Sequence, residues 1–347
     1  MNVQPLGTTG LQVPPVIFGT SCLGNLYAEL PWETKLEIMR EIFTRAPAPV
    51  VLDSAGKYGA GLALEIIGKG LRELGVKPEN VIISNKLGWI RTPLTGPEPT
   101  FEKGVWAGLK NDAAQCISYE GILRCHEQGC ELLGAPYVPK LVSVHDPDEY
   151  LAPATSPADR QRRLKDIIEA YRALVELKKQ GKVAAVGVGA KDWTVIREIA
   201  GAVELDWVML ACSFTVMRHP PELMAFINDL NRRKIGIINS AVFHAGFLTG
   251  GKFFDYRVLD PQNAEDQSLF AWRETFNALC TKHDVSQAAA CVQFGMSPPG
   301  VVSIALNTSK AANVKANLGL AQAVIPAAFW SDMKAAGLIA KEYPYLG

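Results

Sequence analysis

Leu141-Val142-Ser143-Val144-His145 is a short apolar run, and it is followed by RQRRLKDIIEAYRALVELKKQ (Arg160–Gln180) and a second short run, Val183–Gly187. In the middle segment, apolar residues recur at three- and four-residue steps with charges opposite, and Gly181 comes directly after it. This pattern predicts an amphipathic helix. The flanking runs are typical of strands buried on both faces of a parallel sheet. The stretch therefore predicts a strand–helix–strand unit.

The same alternation extends in both directions along the chain. Eight apolar runs, separated by helix-like segments, are Val16–Gly19, Val50–Asp53, Val81–Lys86, Leu141–His145, Val183–Gly187, Trp207–Cys212, Ile235–Asn239 and Val301–Leu306. Eight such units form either a closed barrel or a doubly wound sheet. The count favours the (β/α)8 barrel. We expect one domain over residues 1–347, because barrels of this kind commonly have this length.

Three segments interrupt the alternation. Gln4–Val13, with Thr8-Thr9-Gly10 at its centre, predicts an N-terminal β-hairpin that caps the bottom of the barrel. Gly88–Ser118 and Gly250–Gln267 are longer than ordinary connections. Such segments are usually functional loops, and we expect them at the C-terminal face of the barrel.

Composition excludes several classes of protein. Lys plus Arg and Asp plus Glu both total 35, so the chain is neutral and gives no electrostatic argument for binding nucleic acid. The sequence has no apolar run of membrane-spanning length and no signal-peptide pattern at its start. Seven scattered cysteines without a C-x-x-C pair predict free thiols in a reducing compartment. We therefore expect a cytoplasmic protein without a metal site.

Polar side chains stand at the predicted C-terminal ends of three successive strands, at Asp53, Lys86 and His145, and Tyr58 follows Asp53 by five residues. Parallel barrel strands direct such residues to one mouth, so we expect the four side chains to converge. An ammonium beside a tyrosine favours the phenolate and lowers its pKa from about 10. A carboxylate would hold that lysine charged, and a histidine can bind a substrate oxygen. The four residues predict an acid/base site.

The segments around these residues resemble, in chain order, the motifs of the aldo-keto reductase superfamily. The matching segments are Val51–Gly59 with Leu64–Gly68, Ile82–Gly88, Leu141–Pro147, Val186–Gly189 and Gly246–Gly250. The resemblance covers nearly the whole chain. It implies the (β/α)8 fold and the catalytic tetrad Asp53, Tyr58, Lys86 and His145.

The resemblance also implies a nicotinamide dinucleotide extended over the barrel mouth. No G-x-G-x-x-G opens a strand–helix–strand unit, so the sequence has no Rossmann fingerprint. Instead, Ala241–Leu248 is implied to bind the pyrophosphate and Asn307–Asn317 the adenosine end. The implied cofactor residues are Gly19, Thr20, Asp53, Ala241, Phe243, Gly246, Leu248, Asn307, Thr308, Ser309, Asn313 and Asn317.

The choice between NAD and NADP depends on the second of these segments. In family members that prefer NADP, a Lys and an Arg there usually bind the 2′-phosphate. Asn313 stands at the arginine position, and it lacks the guanidinium fork that binds phosphate bidentately. We therefore predict NAD as the cofactor, and Lys310 leaves NADP open.

The substrate is implied by the segment Ile237–Leu248, which resembles the sugar dehydrogenase branch of the family, of the L-fucose or D-threo-aldose type. The implied reaction oxidises the anomeric carbon of an aldose to a lactone. The predicted substrate residues are Tyr58, Trp89, Trp106, His145 and His244.

Two other functions stay open: an NADPH-dependent aldehyde or ketone reductase of the same family, and a nucleotide-binding regulatory subunit. The intact tetrad argues against the second. The sequence leaves homo-oligomer formation open.

Overall fold

The apolar runs form eight parallel strands that close into a barrel in this computed structural model, which describes residues 2–255 and 257–346. The strands are β1 (Val16–Gly19), β2 (Val50–Ala55), β3 (Val81–Leu87), β4 (Leu141–His145), β5 (Ala185–Ala190), β6 (Trp207–Ala211), β7 (Gly236–Ser240) and β8 (Val301–Leu306). Each strand pairs with the next one along the chain, and β8 pairs with β1. The predicted (β/α)8 barrel is confirmed.

Three strands, β1, β4 and β8, have the predicted bounds, and the ends of the other five differ from the prediction by one to three residues. β5 begins at Ala185 instead of Val183 and continues to Ala190. β6 stops before Cys212, whose φ of 57° is left-handed and ends the extended conformation. Hydrophobic runs locate the strands, but local backbone geometry sets their ends.

Helices cover the outside of the barrel. Their bounds are α1 (Trp32–Arg45), α2 (Leu62–Glu73), α3 (Tyr119–Leu133), α4 (Pro147–Leu151), α5 (Pro157–Lys179), α6 (Trp193–Ala202), α7 (Pro221–Arg232), α8 (Ala264–Lys282), α9 (Gln287–Gly295), α10 (Asn313–Leu320) and α11 (Ala327–Ala335). The helix predicted from Arg160 is α5. It begins one turn earlier, because Ser156 accepts a hydrogen bond from the Asp159 N–H and Pro157 occupies the first helical position.

Successive side chains along each strand point to opposite faces, and this divides the core into two layers. Side chains on the outer face pack against the helices. Those on the inner face fill the barrel and are Ile17, Val51, Ile82, Leu141, Ala185, Trp207, Met209, Ile238 and Val302. A Cβ on Gly187 would lie 2.2 Å from the Trp207 indole. A glycine on β5 is therefore required for this large side chain to fill the interior.

The N-terminal hairpin closes the lower end of the barrel. Gln4–Pro5 pairs with Gln12–Val13, and Leu6 and Val13 are fully buried in the same cluster as the interior residues. The expected cap is present.

Both predicted long loops contain short strands. In the first loop Trp89–Pro93 pairs with Asn111–Gln115, and in the second Phe253–Phe254 pairs with Arg257–Val258. Residue 256 of the second loop lies outside the described residues. The first hairpin follows β3 directly, so the loop that carries Trp89 and Trp106 stands beside the C-terminal end of that strand.

The sequence predicts free cysteines and no segment of membrane-spanning length. All seven cysteines are free. Among the residues that the structure describes, we find no helix with the length and apolar character needed to cross a lipid bilayer.

Candidate active site

Asp53, Lys86 and His145 lie on the neighbouring strands β2, β3 and β4, and all three are buried near the strands' C-terminal ends. Each stands two or four residues after a residue of the barrel interior, and even spacing keeps side chains on one face of a strand. Those interior residues are Val51, Ile82 and Leu141. The alternation that fills the barrel therefore also directs the polar residues to its mouth.

Lys86 and Asp53 form a buried ion pair. Lys86 Nζ lies 2.5 Å from Asp53 Oδ2, and the Ser84 hydroxyl donates to Asp53 Oδ1 at 3.0 Å. Burial lowers the pKa of Lys86, but Asp53 and Tyr58 together outweigh burial and raise that pKa above its ordinary value. Lys86 is therefore a fixed cation at neutral pH.

Tyr58 reaches the same space from the loop between β2 and α2. Gly59 follows it with a φ of 62°, and a Cβ there would lie 2.3 Å from the carbonyl oxygen of Gly24. Only glycine permits this close approach of the loop to the turn after β1. The Tyr58 ring centroid consequently lies 4.8 Å from Lys86 Nζ and 5.6 Å from the centroid of the His145 ring. The four predicted tetrad residues are brought together.

The pKa of Tyr58 differs from the expectation based on Lys86 alone. Burial raises the pKa of Tyr58, Lys86 lowers it, and Asp53 and Asp146 add to the rise. The pKa of Tyr58 lies above its ordinary value, because the loss of hydration destabilises the phenolate by more than the Lys86 ammonium stabilises it. Tyr58 is a neutral phenol at neutral pH, and the expected net lowering of its pKa is wrong.

His145 is neutral in this site. Burial lowers the pKa of His145 well below its ordinary value, and the ammonium groups of Lys57, Lys86 and Lys191 act in the same direction. Its Nε2 lies 3.4 Å from Asp146 Oδ2, and burial raises the pKa of Asp146 to about 7. The other ring nitrogen, Nδ1, is buried and has no hydrogen-bond partner among the described residues, so a ligand oxygen would have to bind this neutral imidazole through Nε2.

Aromatic rings form a wall next to Tyr58. Trp106 has its ring centroid 5.8 Å from that of Tyr58, and Phe101 lies 6.4 Å from Trp106 and 5.7 Å from Trp89. The Trp106 indole N–H donates to Glu102 Oε2 at 2.7 Å. Both predicted tryptophans therefore belong to one cluster on the long loop, and Trp106 is the member in contact with Tyr58.

His244 is placed differently from the prediction of a substrate contact. It is fully buried, with Nε2 2.7 Å from the Thr215 hydroxyl and Nδ1 2.8 Å from Asp255 Oδ1. Its ring stacks on Phe254. Both ring nitrogens are engaged within the protein, so His244 supports the loop after β7 and offers no free nitrogen to a substrate.

The loop after β7 has an unusual backbone. Ala241, His244, Ala245 and Gly246 all have positive φ, which is uncommon for residues other than glycine. Changes of backbone hand over a few residues can turn N–H groups into a concavity that binds anions, but the N–H groups of His244 and Gly246 donate to the Ala241 and Phe243 carbonyl oxygens within the loop. Ala241 and Phe243 are partly exposed there.

Leu248, another of the predicted cofactor residues, is fully buried. Its N–H donates to the Phe243 carbonyl oxygen at 3.2 Å. This residue is part of the core under the loop after β7, and its side chain does not face a ligand.

The segment implied to bind adenosine is exposed and polar. Asn313 is the first residue of α10, and Asn317 follows one turn later. The Asn307 amide donates to the Ser21 hydroxyl at 2.7 Å, which holds the segment beside the turn after β1. Lys310, between Asn307 and Asn313 in sequence, is exposed. Polar side chains at a helix N-terminus fit a phosphate-bearing ligand.

Gly19 and Thr20 have a supporting role next to the tetrad. Gly19 pairs with Asp53 in the sheet. The Thr20 hydroxyl and N–H both donate to the Asp53 carbonyl oxygen, at 2.9 and 3.0 Å. Thr20 is buried, so it fixes the main chain that carries Asp53.

A second group of charges was not identified from the sequence. Lys57 Nζ lies 2.7 Å from Glu102, 2.9 Å from Glu149 and 3.8 Å from Asp146, while Lys191 Nζ lies 2.5 Å from Glu149. The only hint in the sequence is the group of acidic residues that follows His145. A single sequence does not show that these residues pair with Lys57, about ninety residues away.

Comparisons with known proteins agree with this geometry. The model of the Aldo/keto reductase family matches residues 15–337. Pyridoxal 4-dehydrogenase of Microbacterium luteolum is 27% identical over 97% of both chains. D-threo-aldose 1-dehydrogenase of a Pseudomonas species is 24% identical over 95% of this chain and 96% of its own. The solved holo form of aldo-keto reductase AKR11C1 from Bacillus halodurans superposes with a TM-score of 0.69 at 18% identity, covering 99% of each chain.

Proposed function

Because the chain belongs to the aldo/keto reductase family and is thereby an NAD(P)-dependent oxidoreductase, we propose that it oxidises the anomeric carbon of an aldose to a lactone, with Tyr58 exchanging the proton. The observation that carries the proposal is the buried Lys86–Asp53 pair beside Tyr58, since a charged lysine at 4.8 Å from the ring favours the phenolate when the proton must move.

In the proposed step, the cyclic hemiacetal hydroxyl of the sugar lies between Tyr58 and His145. Tyr58 as phenolate takes the hydroxyl proton, the carbon–oxygen double bond of the lactone forms, and the hydride leaves the same carbon. Lys86 stabilises the phenolate, and neutral His145 orients the oxygen. In reverse, the Tyr58 phenol donates its proton to a carbonyl oxygen that receives a hydride.

Bound NAD(P)⁺ supplies the hydride acceptor, the C4 carbon of its nicotinamide. Within this chain the backbone of Ala241–Gly246 would hold the pyrophosphate, and Asn307, Ser309, Asn313 and Asn317 the adenosine end. We propose NAD as the preferred form, because the segment 307–317 contains no arginine to form a bidentate contact with a 2′-phosphate.

An aromatic aldehyde is a second candidate substrate. The relative from Microbacterium luteolum is named for pyridoxal, and Trp89, Phe101 and Trp106 form an aromatic wall beside Tyr58. Such rings can stack on a pyridine ring, and their apolar surface can also cover the apolar face of a sugar. The aldose is preferred here because the segment Ile237–Leu248 resembles the sugar dehydrogenases.

The test is absorbance at 340 nm with purified protein. NAD⁺ and NADP⁺ are each combined with L-fucose, D-arabinose, L-galactose and pyridoxal, and NADPH is combined with a set of simple aldehydes and ketones. The proposal predicts the highest kcat/KM for an aldose with NAD⁺, with lactone as the product. A preference for pyridoxal would favour the second candidate, and turnover only with NADPH and simple carbonyls would favour a reductase. No turnover with any pair, together with tight cofactor binding, would leave the regulatory role.

A further inference from the structure

Lys57 is a buried lysine next to the catalytic candidate Tyr58. Its side chain is 4% exposed, and its ammonium contacts the carboxylates of Glu102, Glu149 and Asp146. Burial lowers the pKa of Lys57, but the three carboxylates together raise it above its ordinary value. A buried charge is tolerated only when it is paired. Lys57 is therefore a fixed cation that joins the long loop after β3 to the β4–α4 turn.

The same ammonium orients both tryptophans of the aromatic wall. Glu102 uses Oε1 for Lys57 at 2.7 Å and Oε2 for the Trp106 indole N–H at 2.7 Å. Lys57 Nζ also lies 5.3 Å from the centroid of Trp89, within cation–π distance. One charged group thereby holds one indole through a carboxylate and the other directly.

The path of the long loop has other supports. The Tyr27 N–H donates to the Val105 carbonyl oxygen at 2.8 Å, and the Ala107 N–H donates to the Asn25 carbonyl oxygen at 3.0 Å. These main-chain bonds hold the loop at Val105 and Ala107 without fixing the rotation of an indole. The ionic contact of Lys57 with Glu102 holds the preceding part of the loop as well as the side chains.

We propose that Lys57, acting through Glu102, is a positioning residue that sets the aromatic wall of the substrate pocket and so determines which ring the enzyme accepts. The inference rests on the proposed function in one respect, that this wall faces the substrate. Lys57 touches none of the proposed reacting atoms. Its loss should therefore weaken substrate binding and leave proton and hydride transfer nearly unchanged.

The kinetic experiment compares four variants with the wild type, using the aldose and pyridoxal as substrates. Lys57→Met removes the charge, Glu102→Ala removes both contacts, and Glu102→Gln keeps an oxygen for the indole N–H. Lys103→Met, an exposed lysine on the same loop, is the matched control. We expect KM to rise on the order of tenfold in Lys57→Met and Glu102→Ala, the scale of a charge-assisted contact. kcat should change less than about twofold, and Glu102→Gln should recover most of the affinity.

The second readout is hydrogen exchange, which needs no turnover. Backbone amides of residues 101–107 should exchange faster in Lys57→Met, while those of the barrel strands keep their wild-type rates. Faster exchange in a protein that turns over no substrate would overturn the proposed function and leave the role of Lys57 intact. Unchanged exchange and unchanged KM in Lys57→Met, or equal losses in Glu102→Ala and Glu102→Gln, would overturn the role of Lys57.

Discussion

Two lysines lie at the mouth of the barrel and differ in how they are held. Lys86 and its partner Asp53 are both on strands, and each side chain is 5% exposed. Lys57 is equally buried, but its partners Glu102, on the long loop, and Glu149, on the short helix α4, are 32% and 37% exposed. The first pair is fixed by sheet register, and the second depends on where the long loop and α4 meet the loop that carries Lys57.

This difference separates two tasks. Groups on a rigid sheet can be held to a fraction of an ångström, which proton transfer requires. Groups on loops can change between related proteins without disturbing the barrel, which suits the choice of substrate. We expect changes at Lys86 to act on the chemical step, and changes in the loops to act on binding.

The largest effect is expected for the strand-held pair. Lys86→Met removes the ammonium that favours the Tyr58 phenolate, and kcat for oxidation should fall on the order of 10³-fold, within the range for general acid–base groups. Adding Asp53→Asn should lower kcat little further, since residues that act as one unit give non-additive losses. Steady-state kinetics measure both, with the exposed Lys77→Met as control. Multiplicative losses in the double variant would mean that Asp53 acts independently.

The second prediction concerns pH and the same strand-held site. The pKa of Tyr58 is raised above its ordinary value near 10, so the phenolate is a minor species at neutral pH and its fraction increases about tenfold per pH unit below that pKa. Oxidation needs the phenolate, so kcat/KM should rise steadily from pH 7 to pH 9. A substrate deuterium effect must show that chemistry is rate-limiting. A flat profile would contradict Tyr58 as the base.

The third prediction concerns the exposed segment 307–317, where the expected effect is smaller. Asn313 is exposed at the start of α10, and Asn313→Arg adds a guanidinium beside the proposed 2′-phosphate position. kcat/KM for NADP⁺ should improve on the order of tenfold with kcat nearly constant. Ala316→Arg, at an exposed position about one helical turn along α10, is the control for added charge. A wild type that already prefers NADP⁺ would show that another base, such as Lys310, binds the phosphate.

The smallest kinetic effect is expected at His244. His244→Ala removes one hydrogen-bond partner from the Thr215 hydroxyl and one from the Asp255 carboxylate and leaves both with Arg218, which should cost about 1–3 kcal/mol of unfolding free energy. Because the ring does not face the substrate, KM for the aldose should stay within about twofold. Urea unfolding and steady-state kinetics measure the two quantities. A tenfold rise in KM with unchanged stability would restore the substrate contact predicted from the sequence.

Much of the strand-held site could be predicted from the sequence. Valine-rich runs locate the eight strands, and period-two alternation sends Asp53, Lys86 and His145 to the barrel mouth. Motif resemblance then assigns the family, and the family model confirms it. These inferences depend on local periodicity and motifs, and both can be read from a single sequence.

The loop contacts could not be predicted in the same way. Lys57 meets Glu102 and Glu149 only because the long loop and the short helix α4 approach its own loop in space, and no local pattern encodes that approach. The burial of His244 follows from its contacts with Thr215 and Asp255, which come from other segments. The direction of the Tyr58 pKa shift could not be predicted without knowing how deeply the side chain is buried, because burial outweighs the effect of Lys86.

The most direct measurement of the central claim, that Tyr58 exchanges the proton, is single-turnover oxidation by Tyr58→Phe with cofactor affinity measured in parallel. The ring and its contact with Trp106 are retained, and only the hydroxyl is lost. The account predicts that hydride transfer falls at least on the order of 10³-fold while the Kd for NAD⁺ stays within about threefold. Turnover within tenfold of the wild type at normal cofactor affinity would contradict the assignment of Tyr58.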